Sequence, residues 1–160
     1  MNKLDRLDIE ILKRLQENSR YKYTRMAKEL GVSEATIRAR IKSLIERGYI
    51  EKFTIVVDPS KLGYGVMARI GIDVDVNSIY SVLKELGDLE EVYLAALSTG
   101  THDILLDVIV KDLDDLKRFL TDKLGKVKGI KNYDVSIIME IYRRKLAYLV
   151  FPSAHQSSEK

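Results

Sequence analysis

The sequence predicts an α+β chain in two domains: a short helical unit followed by a unit of alternating strands and helices. Three observations predict it. Apolar residues recur at helical spacing through the first 50 residues, then alternate strictly from Val66 to Val74. The turn-formers Asp58-Pro59 and Gly63 to Gly65 fall between these patterns. The charge divides there too: residues 1–52 hold 13 Lys/Arg against 8 Asp/Glu, a balance of +5, and residues 53–160 hold 14 against 16, a balance of −2. This reading gives a first domain at 1–52, a connecting strand and hinge at 53–64, a second domain at 65–151 and a tail at 152–160.

In the first domain, Leu4, Leu7, Ile11, Leu12 and Leu15 make one helical stripe, which Asn18-Ser19-Arg20 ends. Thr24 is expected to cap a short second helix carrying Met26, Ala27 and Leu30, closed by Gly31. Ser33 is expected to cap a third, with Glu34 adding negative charge near its positive end. It should run to about Arg47, where Gly48 stops it. Tyr49–Val57 is rich in β-formers and is expected to supply a wing hairpin or a connecting strand. With a wing, this unit is a winged helix-turn-helix.

In the second domain, Val66, Ala68, Ile70, Ile72 and Val74 form one strand face, and Ile79, Val82, Leu83 and Leu86 return to helical spacing. Val92–Ser98 and Asp103–Val110 read as strands around the short loop Thr99–His102. Leu113, Leu116, Phe119, Leu120 and Leu124 form another helical stripe, and Ile130–Tyr142 a last strand. The order βαββαβ is the ferredoxin-like arrangement, a four-stranded sheet with both helices on one face.

The composition excludes several classes. Cysteine is absent, so disulfides, thiolate metal sites and thiol catalysis are out, and a reducing cytoplasm suits the chain. No apolar run approaches the roughly 20 residues of a membrane span, and the first residues do not resemble a signal peptide. The two histidines, His102 and His155, have no metal-ligand spacing. There is no Gly-rich phosphate loop and no plausible nucleophile–base pair, so we expect neither an enzyme nor a cofactor. An RNA-recognition module shares the βαββαβ order but needs base-stacking aromatics on its middle strands. Val66–Val74 and Asp103–Val110 contain none. A pure metabolite sensor leaves the first 50 residues unexplained.

The basic balance of the first domain points to an anionic partner, and the third helix has the face to meet it. At 100° per residue, Ile37, Ile41, Leu44 and Ile45 fall on the core side, and Ala35, Thr36, Ala39, Lys42 and Ser43 on the opposite side. Arg38 and Arg40 flank that outer face. The small Ala35 and Ala39 let the backbone approach the major groove of double-stranded DNA and can touch a thymine methyl. Thr36, Arg38, Arg40 and Lys42 can reach base edges or phosphate oxygens. Lys22, Arg25 and Lys28, with Ser33 and Glu34 at the helix start, complete the expected DNA-binding set.

The chain resembles the Lrp/AsnC, or feast/famine, family of prokaryotic transcription regulators. The resemblance starts at Leu4-Asp5…Asp8…Ile11-Leu12…Leu15-Gln16…Ser19-Arg20 and continues through Ala27–Ser33, Thr36-Ile37…Arg40-Ile41…Leu44 and Gly48-Tyr49-Ile50. It resumes at Asp58-Pro59…Leu62-Gly63 and Thr99-Gly100-Thr101-His102-Asp103, so it covers nearly the whole chain. It implies DNA-binding homodimers, often assembled into octamers, and an amino acid as the usual effector.

The sheet face not covered by helices should carry Met67, Gly71, Leu105, Ile109 and Ile138. That much apolar surface suits self-association, unless the linker or the C-terminal segment covers it. By the resemblance, Thr99, Gly100, Thr101, His102 and Asp103 form the effector loop. Asp103 is an acceptor for an α-ammonium group; the alternative is a plain hairpin turn in which Asp103 bonds the backbone. The resemblance also implies small hydroxyl residues on the last strand. The aligned positions are Tyr133 and Val135, and a one-residue slip would offer Asp134 and Ser136 instead.

Overall fold

The structure, a computed structural model, describes residues 4–141. The described chain divides into two compact units, residues 4–56 and 57–141.

The first unit packs three helices, α1 (Arg6–Glu17), α2 (Tyr23–Leu30) and α3 (Glu34–Glu46). Asp5 and Asp8 form a capping box at the start of α1: the Asp8 amide donates to Asp5 Oδ1 at 2.8 Å, and Asp8 Oδ2 accepts from the Asp5 amide. Gly31 leaves α2 in the left-handed conformation, at φ 67°, which favours glycine. Ser33 Oγ accepts the Thr36 amide at 3.0 Å and so caps α3 as its position predicts. The expected Thr24 cap does not form. α2 begins one residue before Thr24, with Lys22 at the capping position and no side-chain cap. Ile11, Leu12, Leu15, Met26, Ala27, Ile37, Ile41 and Leu44 form the core of this unit. Ile45, expected inside, is 46% exposed, because it sits at the edge of the α3 stripe.

No wing forms. Residues 51–58 are irregular, neither a hairpin nor a strand. Phe53, Ile55, Val56 and Val57 are all exposed. The β-forming residues are present, but a strand also needs a neighbour for its backbone N–H and C=O groups. Among the described residues this segment has none.

The second unit orders its strands β2-β3-β1-β4, all antiparallel: β1 (Val66–Val74), β2 (Val92–Leu97), β3 (Ile104–Val110) and β4 (Ile130–Ile137). The helices are α4 (Ile79–Gly87) and α5 (Leu113–Arg118). Ala68, Ile70, Ile72 and Val74 of β1 and Ile104, Leu106, Val108 and Val110 of β3 point into a core closed by Val82, Leu86, Leu116, Phe119 and Leu124. The second helical stripe is not one continuous α-helix. After Arg118 the chain widens into a π-turn at Phe119–Lys123 and tightens at Leu124–Lys126. That change of pitch accompanies the burial of both Phe119 and Leu124. β4 ends at Ile137, short of the expected Tyr142, although the Ile138 amide still donates to the Met67 carbonyl at 2.9 Å. Tyr142 and the expected tail lie outside the described residues.

Candidate nucleic-acid interface and effector loop

Helix α3 presents the outer face that its sequence predicts. Ala35, Arg38, Ala39 and Lys42 are exposed, and Thr36 is half-buried, with Oγ1 sharing a 2.8 Å hydrogen bond with the capping Ser33 hydroxyl. Arg38 is 63% exposed and lies along its own helix. Its Nη2 donates to Glu34 Oε1 at 2.6 Å, and its guanidinium sits 5.1 Å from the centre of the Tyr23 ring. Lys42 stands 3.8 Å from Glu46. Lys22 and Lys28 are exposed, and Arg25 bonds Glu29 at 2.8 Å while stacking over Tyr21.

Arg40 has a different setting from Arg38. Its Nη1 donates to Asp5 Oδ2 at 2.6 Å and to Asp8 Oδ1 at 3.2 Å. Asp8 is buried and also accepts from Arg47 Nη1 at 3.4 Å. The hydrogen bond to Asp5 and the negative charge of that carboxylate hold the Arg40 guanidinium above its usual pKa. Arg40 therefore braces α3 against the start of α1.

A second clamp, which the sequence reading missed, joins α1 to α2. Glu29 accepts from the Tyr21 hydroxyl, Arg25 and Arg14. Tyr21 and Arg25 hold its carboxyl down at about 2. Because this pKa is depressed on folding, the clamp stabilises the unit fully above the unfolded value and is lost as pH falls toward 2. Glu29→Gln is accordingly expected to flatten the acid limb of unfolding, which circular dichroism between pH 2 and 5 would read. Its i, i+4 spacing to Arg25 was visible in the chain, but the Arg14 and Tyr21 partners come from tertiary packing.

In the second unit the strand register sorts the candidate effector-site residues of β4. Tyr133 pairs with Ile72 and Val135 with Ile70, so both share the helix-covered side of the sheet with those buried residues. Asp134 pairs with Gly71 and Ser136 with Arg69, on the open side. Tyr133 and Val135, the positions the resemblance assigns, thus face the helices, and the polar pair that shares the open face with His102 is Asp134 and Ser136. Period-2 alternation alone could not decide between the two settings.

The loop itself is tied to the sheet. Thr99, Gly100 and Thr101 are exposed, and the Gly100 amide donates to Ser98 Oγ at 3.2 Å. Asp103 Oδ2 accepts the Val74 amide at 2.9 Å, and the Asp103 amide donates to the Ile72 carbonyl at 3.1 Å. One carboxylate oxygen of Asp103 therefore serves β1 rather than facing away from the sheet. His102 lies over Gly71, with Nδ1 2.8 Å from Asp73 Oδ1 and Nε2 against Asp134 Oδ2.

The open face also holds Met67, Leu105 and Ile109, as expected, around an ion pair that was not foreseen. Arg69 and Asp107, directly opposite on β1 and β3, form two parallel hydrogen bonds of 2.7 and 2.8 Å. No group of three or more His, Asp or Glu among the described residues has metal-holding geometry. No helix among them is long and apolar enough to cross a membrane.

A capped helix-turn-helix followed by a βαββαβ sheet unit defines a class of two-domain DNA-binding regulators. Residues 4–45 match the AsnC-type helix-turn-helix domain and residues 67–147 the Lrp/AsnC ligand binding domain. An HTH-type transcriptional regulator of Pyrococcus furiosus is 44% identical over 138 residues, covering 86% of this chain and 93% of its own. The regulator LrpA of Pyrococcus horikoshii is 36% identical over 137 residues, covering 86% and 97%. The solved structure of Escherichia coli AsnC superposes with a TM-score of 0.85 at 32% identity, covering 91% of this chain and 98% of that one. A transcriptional regulator of Neisseria meningitidis, solved as a complex with L-Met, shares the fold at a TM-score of 0.84 and 22% identity, covering 91% and 96%. The chain belongs to the Lrp/AsnC family: it is a helix-turn-helix transcription regulator and not an enzyme.

Proposed function

We propose that this protein is a cytoplasmic homodimer that reads double-stranded DNA with α3 and is modulated by an amino acid or a related small metabolite. The observation that carries the DNA reading is the outer face of α3. Exposed Ala35 and Ala39 leave room for a groove wall, and Arg38 and Lys42 stand beside them, next to the Ser33-capped turn. Thr36, Ser33 and Glu34 line the leading end of the helix. Lys22, Arg25 and Lys28 supply further positive charge for phosphates. Arg40 acts mainly through its brace to α1.

Homodimerisation is supported by the apolar residues of the open sheet face, and a two-fold assembly suits a pair of recognition helices. Octamers are a further assembly of such dimers. The effector reading rests on the loop Thr99–Asp103 and the match to a ligand-binding domain, and the L-Met complex of the Neisseria protein motivates the choice of an amino acid. Tyr133 and Val135 then back the site from the far side of the sheet, with Asp134 nearer the loop.

Selection of bound duplexes from random DNA, repeated with each amino acid, tests this reading. A two-fold motif is expected, with half-sites about 34–36 Å apart or a multiple of that. Failure to enrich any motif would reject the DNA reading. Lys42→Ala should weaken binding to all sequences alike and reduce the slope of log K against log salt by about 1. Leu105→Glu should convert dimer to monomer in sedimentation; an unchanged mass would exclude the open face as the contact.

A further inference from the structure

Asp73 on β1 and Asp134 on β4 stand on either side of His102, with Gly71 beneath the ring. A Cβ on Gly71 would come within 2.2 Å of His102 Cδ2, so the glycine leaves the space that the imidazole fills. Both ring nitrogens face carboxylate oxygens, which can only accept. A neutral imidazole has one N–H and one lone pair, and it would point that lone pair at a carboxylate. Only the imidazolium satisfies both partners.

The remaining charges nearby are already engaged. Asp103 caps the Val74 amide, Lys131 on β4 pairs with Asp75 at 2.9 Å, and Arg69 pairs with Asp107. His102 is also the last residue before Asp103 in the loop between β2 and β3, so its ring anchors that loop to two other strands.

We propose that Asp73, Asp134 and Gly71 form a slot for a planar nitrogen cation. Its occupant is the chain's own His102 imidazolium, so the tip of the effector loop is held to both strands through the ring only in the protonated form, while the Asp103 bonds keep the loop's end on β1. This rests on the reading of Thr99–Asp103 as the effector loop, but docking itself requires no ligand. The hydrogen bond to Asp73, aided by the charge of Asp134, raises the pKa of His102 against the opposing effect of partial burial. Because the folded value is the higher one, the ring's hold on the loop is complete below the unfolded pKa of 6.5 and is lost as pH rises through the folded value. By linkage, a ligand that prefers the docked loop binds more tightly on the acid side and raises the pKa further.

Hydrogen exchange of loop amides in the full-length protein, without ligand and corrected for intrinsic rates, tests this between about pH 5 and 9. The parent loop should be at least about tenfold more protected at the acid end. His102→Ala should remove the step, and Asp134→Asn, which keeps the shape of the slot, should move it to lower pH. Protection that does not change with pH, or a step that survives in His102→Ala, would overturn the proposal. Calorimetry with the twenty amino acids at both ends of the range tests the effector reading separately. A blank there would reject that reading and leave the exchange result standing.

Discussion

Arg38→Ala is expected to weaken specific DNA binding by about 1–3 kcal/mol, roughly 5- to 150-fold, and to relax sequence preference at one position per half-site. Arg38 is held by Glu34 and by the Tyr23 ring, and both contacts are on the surface. An exposed i, i+4 ion pair contributes only about 0.3–0.5 kcal/mol, and an exposed cation–π contact about 0.5–1. Together these are smaller than the upper part of the range for a good base contact, so the guanidinium can leave them for a groove. Glu34→Gln should accordingly strengthen binding to every sequence, because it frees Arg38 and removes a negative charge near phosphate. Titration of the selected site and of one-base variants reads both effects. If Arg38→Ala binds all of them as tightly as the parent, α3 does not read the bases through this residue.

Asp8→Ala is expected to destabilise the N-terminal unit by about 2–3 kcal/mol. Asp8 is 2% exposed, receives both Arg40 and Arg47, and completes the capping box of α1. Removing one partner from a buried pair costs about 3–5 kcal/mol when the remaining charge stays buried. Arg40 is 39% exposed and Arg47 26%, so water takes up part of their charge and the expected cost falls below that range. Exchange protection should drop in α1 and α3 and remain unchanged in the sheet unit, which has a core of its own. Arg40→Ala should follow the same pattern in milder form. Its loss of DNA affinity should therefore come with lower stability and with sequence preference intact. The opposite result, relaxed preference at full stability, would make Arg40 a reader and not a brace.

The ordering of elements was legible in the sequence. Period-3.6 and period-2 patterns, Ser33, Gly31 and the turn at Thr99–His102 are local signals, and each corresponds to an element boundary or cap close to where it was expected. The identity of the exposed face of α3 followed from the same periodicity. Local signals failed where a choice had two nearly equal local answers. Thr24 and Lys22 competed to begin α2, and the stripe from Leu113 to Leu124 hid a change of helical pitch. In Tyr49–Val57 the residues favoured a strand, but a strand is decided by its neighbour.

Sequence alone therefore determined the fold class, the family and the composition of the surface proposed to meet DNA, because these depend on which residue types recur at which spacing. The tertiary structure decided which charges are free to act and which are spent on the fold. Arg38 and Arg40 are two residues apart and chemically identical, yet one lies on the surface and the other is bonded to the start of α1. The register of β4 against β1 set Asp134 beside His102 and turned Tyr133 and Val135 to the other side of the sheet. These pairings join residues about 30 or more positions apart in the chain, and their partners are fixed only when strands and helices pack.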